Sequence, residues 1–495
     1  MIGILAFRHL LVRRLRSLFL LTGFALGVGV MIVLLSVGEA MLDQSRDVEL
    51  VGGGELTVLP LGIDIEAMRT GGLSGMFFGI DRARFLTRLG IGGPRYAEVI
   101  ESVAPAIEGK LLYLCPARGD CTPTAVRAGA EIPSRAAAVG AALDVRGGRW
   151  ADTPADSAYV APTPGQLYDE LDRFHLPPDP DSTWGEWHYF NLVTGPAEWW
   201  YVTYLVGGRV SPANLAGSSA GHRSGAGGRL LLTHRRPDGR HDRYTADVRG
   251  ELVRFDTSGA DLTLGRNAVI QREGVYRLDA LASGPAGTVR LDLAVRPLPN
   301  RYFPPVELRE EALLSGYVVP GLAASASGRV CLDTRCREIR DAPAYHDHNW
   351  GVWRDVTWEW GAAHGERISL LYGGVYQAGA VTSPFFLTLA DSLGVRQVLR
   401  FGRIRYEGGL PADGMPGVSA PARFDLVAGR DADTVRLSVE VEHALATDMG
   451  ASGFRRTFLQ MRGRFTLRGR IGRESVADEG RGFFETYLTT PSASR

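Results

Sequence analysis

The sequence is short of lysine, of net charge and of long apolar runs. Lys110 is the single lysine among 495 residues, so nearly all positive charge is carried by arginine. Basic and acidic residues are equal at 55 each, which gives a formal net charge of zero. Because nucleic-acid binding needs a basic surplus, nucleic acid is excluded as the main partner. After residue 40 no segment approaches the roughly 18 apolar residues of a membrane span. The length predicts two or three domains.

Cysteine is also scarce, and the four cysteines fall into two close pairs, Cys115 with Cys121 and Cys331 with Cys336. Short separations of this kind favour two small disulfide loops in an oxidising compartment. Free or metal-bound thiols are the alternative, although neither pair has the C-x-x-C spacing of many zinc sites. The sequence therefore predicts two disulfides and leaves the alternative open.

The apolar segment Ser17–Val37 carries no charge and is long enough to cross a bilayer as a helix. Arginines precede it and acidic residues follow it. The positive-inside rule then predicts a cytoplasmic N-terminus at residues 1–16 and a transmembrane anchor at residues 17–40. We expect a single-pass protein of the inner (cytoplasmic) membrane, with its bulk in the periplasm or outside the cell. A cleaved signal peptide fits less well, because its apolar region is usually shorter.

The run Leu5–Leu42 resembles the first transmembrane helix of MacB/FtsX-type ABC transporter permeases. It has a short basic stretch, then Arg-Ser-Leu, then a glycine-punctuated span that ends near Gly-Glu. The resemblance implies a small α+β periplasmic-core-like region at residues 41–178. It also implies the membrane and ABC permease or ATPase subunits as partners. A full permease has three more membrane helices, which this sequence lacks, so the chain is not expected to transport alone.

From about residue 181 the sequence has the pattern of half-buried antiparallel strands. Apolar residues alternate with polar ones at 289–295 and again at 435–441, and glycine, proline and aspartate separate the segments. Residues 458–471 read as another pair of such runs. Strands this numerous at this spacing predict a mainly β protein with one or two closed barrels or sandwiches.

Two aromatic-rich blocks resemble the AttH/CrtC family, which includes carotenoid 1,2-hydratases (hydroxyneurosporene synthases) and lipocalin-like Diels–Alderases. The block Tyr345–Gly351 reads Tyr-His-Asp-His-Asn-Trp-Gly and matches the family pattern at every position. An earlier block, Trp184–Asn191, departs from the pattern at His188 and, directly after the block, at Leu192. A similar aromatic stretch follows at Glu198–Tyr201. The segment Gly480–Glu485 is similar to the family's closing strand.

This second resemblance covers about residues 181–490 and implies two consecutive lipocalin-like (calycin) β-barrels, at residues 179–352 and 353–495. A barrel of eight strands can hold one small apolar ligand. We expect a hydrophobic small molecule such as a lipid, a carotenoid or another isoprenoid, and no cofactor. The residues expected to bind it are Trp187, Tyr189, Trp199, Trp200, Tyr317, His346, His348 and Trp350.

The central block divides into two faces on a strand, because successive side chains point to opposite sides. Tyr345 and Asp347 then face one way, and His346 and His348 the other. If Asp347 faces an apolar cavity, burial raises its pKa and keeps it a proton donor near neutral pH. In the hydratases the matching Tyr and Asp are the proposed catalytic pair. A structural hydrogen-bond network is the alternative. Metal binding by the two histidines is not predicted, because the sequence offers no evident third ligand.

Two functions follow for this sequence. The first is a membrane-anchored, extracytoplasmic, lipocalin-like protein that binds a lipid or isoprenoid beside an ABC transporter. The second is a carotenoid 1,2-hydratase-like lyase that adds water to a terminal C=C bond with Asp347 as general acid. Against hydration, the hydratases carry further His and Trp residues before a proline, where this sequence has Gly316–Pro320.

Overall fold

The computed structural model describes residues 14–46, 56, 58, 79–96, 99–115, 122–140, 151–161, 167–168, 171–177, 184–215, 225–310, 313–352, 356–377, 380–381, 385–449 and 454–491. The chain divides into two compact units. One comprises Met1–Ala83 and Glu101–Ala161, and the other Arg84–Ile100 and Pro162–Arg495.

The described N-terminal part contains helices and one hairpin. Its elements are α1 (Arg14–Arg46), α2 (Ile80–Gly92), β1 (Ala106–Leu114), β2 (Thr124–Glu131), α3 (Pro133–Ala138), a 3-10 turn (Pro154–Asp156) and α4 (Ser157–Val160). Helix α1 covers the predicted membrane segment. Within the ranges given above, no helix has the length and apolar character needed to span a membrane. The structure thus supports neither the predicted anchor nor the periplasmic-core-like domain.

The first barrel lies in the second unit. Its elements are β3 (Trp184–Gly195), β4 (Glu198–Arg209), a 3-10 turn (Pro212–Asn214), β5 (Gly225–Arg235), β6 (His241–Arg249), a 3-10 turn (Gly250–Leu252), β7 (Val253–Phe255), β8 (Leu262–Leu264), β9 (Asn267–Arg272), β10 (Val275–Gly284), β11 (Gly287–Pro297), β12 (Phe303–Glu310), β13 (Leu313–Leu332) and β14 (Arg335–Val352). Eight antiparallel strands form the wall in the order β11-β13-β14-β3-β4-β5-β6-β10, and β10 pairs with β11 to close it.

The second barrel follows directly in the chain. Its strands are β15 (Val356–Gly365), β16 (Ser369–Gln377), β17 (Ala380–Val381), β18 (Phe385–Asp391), β19 (Gly394–Phe401), β20 (Ile404–Glu407), β21 (Leu410–Pro411), β22 (Ser419–Ala420), β23 (Arg423–Arg430), β24 (Asp433–Asp448), β25 (Phe454–Ile471) and β26 (Glu474–Pro491). Its wall order is β15-β26-β25-β24-β23-β19-β18-β16, closed by the pairing of β15 with β16. The mainly β prediction with two barrels is confirmed.

Strand alternation accounts for both barrel cores. In β11, Val289, Leu291, Leu293 and Val295 are buried, whereas the intervening Arg290 and Asp292 are exposed. The predicted strand at 435–441 follows the same rule inside β24. Large aromatic and aliphatic side chains fill both interiors. The described residues therefore form a packed core in each barrel, whereas the resemblance implied room for a ligand inside a barrel.

Two local predictions have different outcomes. Residues 458–471, predicted as two runs, belong to the single long strand β25, because β25 pairs along its whole length with β26. Cys331 and Cys336 form a disulfide beside the β13–β14 turn, as predicted. Cys115 is also disulfide-bonded, and Cys121 lies outside the described residues.

A third apolar cluster joins the outer faces of the two barrels, and we call it the seam. The first barrel contributes Tyr189, Trp199, Tyr201, Phe303, Val319, Leu322 and Tyr345, and the second contributes Ala362, Leu371 and Ala390. Aromatic rings also stack across the seam, with Phe303 and Phe386 at 5.5 Å between centroids and Tyr317 and Phe386 at 5.7 Å. The seam holds the two barrels together by apolar burial.

We predict that Gly361→Ala destabilises the second barrel by about 1 to 3 kcal/mol, since overpacking a filled core forces neighbours to shift. A Cβ at Gly361 would overlap the rings of Tyr372 and Phe484. Urea denaturation followed by tryptophan fluorescence measures the change. The matched control is Gly402→Ala, where no described heavy atom lies within 4 Å of the new Cβ. Equal unfolding midpoints for the two variants would contradict the packing described.

Candidate functional site

Strand β14 separates two chemical environments. His346, His348 and Trp350 point into the first barrel, whereas Tyr345, Asp347 and Asn349 lie on its outer side, towards the seam. Both faces are buried, and His346, His348 and Asp347 have exposed fractions of at most 2%. The two-face prediction for this block is confirmed, and each face has its own electrostatics.

The inner face holds a buried ion cluster. Nδ1 of His348 lies 2.6 Å from Oδ1 of Asp172, and Nε2 lies 3.2 Å from Oε1 of Glu186. The hydroxyl of Tyr276 donates to Oδ2 of Asp172 at 2.7 Å. His175 Nδ1 lies 2.8 Å from Glu186 Oε1. Asp172 belongs to the segment 171–177, which the sequence analysis assigned to the preceding domain and which packs into this core.

The protonation states in this cluster follow from its charges. Burial by itself would lower the pKa of His348, but the carboxylates of Asp172 and Glu186 outweigh it and raise that pKa to about 9. Burial would raise the pKa of Asp172, yet the charge of His348 holds it well below its usual value. The pKa of Glu186 is also lowered, because hydrogen bonds from His175 and His348 outweigh the effect of burial. An imidazolium is thus held between two carboxylates.

The inner face also contains three groups at metal-ligand separation. One ligand atom from each of Asp172, His188 and His346 lies within 4.8 Å of the other two. The sequence had offered no third neighbour for the histidines. However, both oxygens of Asp172 already accept hydrogen bonds, and His348 supplies the positive charge that a cation would bring. We therefore interpret this cluster as an ion network that fixes the barrel interior.

The outer face holds an isolated carboxyl group. The hydroxyl of Tyr345 donates to Oδ2 of Asp347 at 2.7 Å, and the amide of Asn349 donates to Oδ1 at 2.7 Å. From the second barrel, Nε1 of Trp360 donates to the hydroxyl of Tyr345 at 2.9 Å. The carboxyl is therefore positioned by dipoles from both barrels.

Asp347 lies on the wall of a cavity of about 1260 Å³ between the two barrels. About a third of the lining residues are aromatic, among them Trp187, Tyr189, Tyr317, Trp360 and Phe386, and polar side chains such as that of Arg400 also line the cavity. Aromatic walls with placed polar groups are typical of sites for mainly apolar ligands, and this volume suits a large one.

Burial and, to a smaller extent, the negative charge of Glu485 raise the pKa of Asp347 to about 8, against the opposing hydrogen bonds of Tyr345 and Asn349. Asp347 is consequently a neutral carboxylic acid at pH 7. A neutral acid in an apolar cavity can donate a proton to a bound molecule.

The cavity gathers only part of the predicted ligand-binding set. Trp187, Tyr189 and Tyr317 line it, together with the predicted acid. Trp199 lies in the seam, below the guanidinium of Arg235 at 4.4 Å. The others face the first barrel's interior, because they occupy the alternate strand positions; they are Trp200, His346, His348 and Trp350. The cavity gives no support to a ligand-binding role for these four.

Sequence reasoning missed several groups at the two faces. Asp172 and Glu186 of the ion cluster were not singled out, and neither were Trp360 and Glu485 of the cavity wall. Glu485 was within reach, because it stands in the segment compared with the family's closing strand. Its alternate position on β26 could have marked it as facing the seam.

No protein-family profile matches the chain, and no curated protein matches it. Similar solved structures include an AttH protein from Nitrosomonas europaea, with 14% identity and a TM-score of 0.43 over 63% of this chain and 96% of that one. CghA with Sch210972 has 12% identity and a TM-score of 0.40 over 62% and 89%. Kievitone hydratase from Nectria haematococca has 13% identity and a TM-score of 0.39 over 65% and 94%.

These structures include the AttH type that the motifs resemble, and they do not support the resemblance of the first third to MacB/FtsX-type permeases. At such TM-scores the likeness decides no activity, which has to be inferred from this chain's own residues.

We predict that Asp172→Asn lowers the free energy of unfolding by about 3 to 5 kcal/mol, because it leaves the buried charge of His348 with one carboxylate fewer. Chemical denaturation at pH 7 measures the loss. The control is Asp247→Asn, which removes an exposed ion pair with Arg229 and should cost at most about 1 kcal/mol. Similar losses in both variants would show that the cluster is not the ion network inferred.

We predict that Asp347→Asn stabilises the fold at pH 7 by about 1 to 3 kcal/mol. The unfolded carboxyl titrates near pH 4 and the folded one near 8, so folding takes up a proton in between and stability falls as pH rises through that window. The variant should flatten this slope. Denaturation midpoints between pH 4 and 9 measure it, with the exposed Asp279→Asn as control. An unchanged slope would mean that Asp347 is ionised in the fold.

Proposed function

We propose that the cavity between the barrels binds an apolar molecule and that Asp347 protonates a carbon–carbon double bond of that molecule, so that water adds. The observation that carries this proposal is a neutral carboxylic acid buried in an aromatic cavity. Protonation of an alkene needs an acid whose proton is not lost to solvent, and burial keeps the proton on Asp347 at pH 7.

The cavity wall suits the charge that such a protonation creates. Transfer of the Asp347 proton to the =CH– carbon of a terminal (CH3)2C=CH– group leaves a tertiary carbocation on the dimethyl-substituted carbon. Tyr317, Trp360 and Phe386 line the same cavity, and an aromatic ring can stabilise a nearby cation. Water then attacks the cation and yields a tertiary alcohol. This supports an acyclic isoprenoid as the substrate class.

A ligand carrier without chemistry is the second candidate, and the aromatic lining itself favours it. Such a carrier would bind a lipid or isoprenoid in the same cavity and release it unchanged. Membrane attachment and association with ABC permease or ATPase subunits stay proposals from the sequence. Neither candidate function depends on them.

We predict that Asp347→Asn lowers the rate of alcohol formation from an acyclic carotene by about 10²- to 10⁴-fold, the usual contribution of a general acid. Binding should change little, because the amide keeps the shape of the wall. In the unaltered protein, kcat/KM should fall as pH rises through about 8, where the acid form is lost. Product analysis measures turnover, and quenching of tryptophan fluorescence measures binding.

Asp279→Asn serves as the control, since Asp279 lies on an exposed strand position away from the cavity. If Asp347→Asn formed alcohol at the same rate as the unaltered protein, Asp347 would not be the acid. Binding without turnover by the unaltered protein would favour the carrier.

A further inference from the structure

A second buried carboxyl group, that of Glu485, faces the same cavity from the second barrel. Glu485 lies on β26 with an exposed fraction of 9%. It lines the cavity together with Asp347. Glu307 also lines the cavity but is exposed, so Asp347 and Glu485 are its two buried carboxyl groups. Two carboxyl groups in different environments can act as acid and base in one reaction.

The strand registers bring the two carboxyl groups together across the seam. Tyr189 is the cross-strand partner of Asp347 in the first barrel, and Gln460 is the partner of Glu485 in the second. The amide of Gln460 donates to the hydroxyl of Tyr189 at 2.9 Å. A cross-seam hydrogen bond thus joins the strand neighbours of the two acids.

A second connection between the neighbours of the two acids is made by the indole of Trp360. Trp360 is the other cross-strand partner of Glu485, and its indole donates to the hydroxyl that is bonded to Asp347. Hydrogen bonds between residues of the two barrels therefore fix the strand neighbours of both acids. Both carboxyl groups line the cavity, and each lies on a strand of its own barrel.

The hydrogen-bond donors around Glu485 favour its ionised form. The indole of Trp358 donates to Oε2 of Glu485 at 2.9 Å. Burial raises the pKa of Glu485, while hydrogen bonds from Trp358, Tyr189 and Gln460 lower it. The charge of Glu485 in turn raises the pKa of Asp347. On balance the pKa of Glu485 lies above its usual value, and the titrations of the two carboxyl groups are coupled through the charge of Glu485.

We propose that Glu485 is the general base that takes a proton from the attacking water, a role that rests on the hydration proposed above. The O–H bond of Asp347 breaks as a C–H bond forms on the substrate. The water oxygen then bonds to the tertiary carbon, and its proton passes to the carboxylate of Glu485. Return of that proton to Asp347 through solvent restores both groups. The net change is the addition of one water molecule, without oxidation or reduction.

The competing role for Glu485 is structural, as the anchor of the Trp358 indole. The two roles differ in which step they affect. A base acts only after the carbocation has formed, so its loss should spare the first proton transfer. A structural anchor would disturb binding and both steps alike.

The test uses the full chain in D₂O with an acyclic carotene that ends in an isopropylidene group. For Glu485→Gln we expect alcohol formation to fall by about 10²- to 10⁴-fold. Deuterium incorporation into recovered alkene should persist within about threefold, because Asp347 still delivers a deuteron to the =CH– carbon and can remove the original proton after rotation about the new C–C single bond. The pH above which deuterium exchange stops should also be lower in this variant. Without the negative charge of Glu485, the pKa of Asp347 is lower and its acid form is lost at lower pH.

Glu359→Gln is the matched control. Glu359 is a buried glutamate of the same barrel, bonded to the hydroxyls of Tyr406 and Thr486 and placed on the opposite face of β15 from Trp360. It should keep both activities. Circular dichroism and denaturation midpoints verify that each variant is folded.

The outcomes separate the two proposals. Alcohol formation by Glu485→Gln near the unaltered rate overturns the base, and so does parallel loss of alcohol formation and exchange in a folded variant. Absence of both activities in the unaltered protein overturns the hydratase function itself. Exchange without hydration in Glu485→Gln, with neither activity in Asp347→Asn, supports both assignments.

Discussion

The two-residue period of strand β14 is the constraint on which the rest of this site depends. Neighbouring residues of one strand face opposite sides of a sheet, so His346 and His348 enter the first barrel while Asp347 turns to the seam. A shift of one residue in the pairing with β3 would exchange the two faces. It would place the neutral acid in the packed core and the ion cluster beside the cavity. The register of one strand pair therefore decides which group can meet a ligand.

Low dielectric acts on both faces, yet it has opposite results for the two aspartates. Asp172 is ionised because His348 supplies a compensating charge within 2.6 Å. For Asp347, the hydrogen bonds from Tyr345 and Asn349 and the charge of His348 do not outweigh burial and the like charge of Glu485, so it stays protonated. Whether a buried carboxyl group is an ionised member of a structural ion pair or a neutral proton donor depends on the charged groups beside it.

Neither barrel forms the cavity alone. The first supplies the acid and its hydroxyl donor, and the second supplies Trp360 and the opposing carboxyl group of Glu485. Side chains fill both barrel interiors as far as they are described, and the cavity that suits an apolar molecule lies in the gap between the two outer barrel surfaces. The aromatic stacking that joins the barrels also shapes that gap, since Tyr317 and Phe386 serve both purposes. Stability of the seam and binding in the cavity are therefore coupled.

The sequence by itself determined what is local. Alternation predicted the strands, the block at 345–351 predicted two faces, and burial of Asp347 was stated as the condition for an acid. The partners of these residues depend on contacts between residues that are distant in sequence, and a single amino-acid sequence does not reveal such contacts. Thus Asp172 joined the ion cluster, Trp200 turned inward, and Glu485 came to face Asp347 only through tertiary packing. A pKa depends on burial and neighbouring charge, and both are properties of the folded structure.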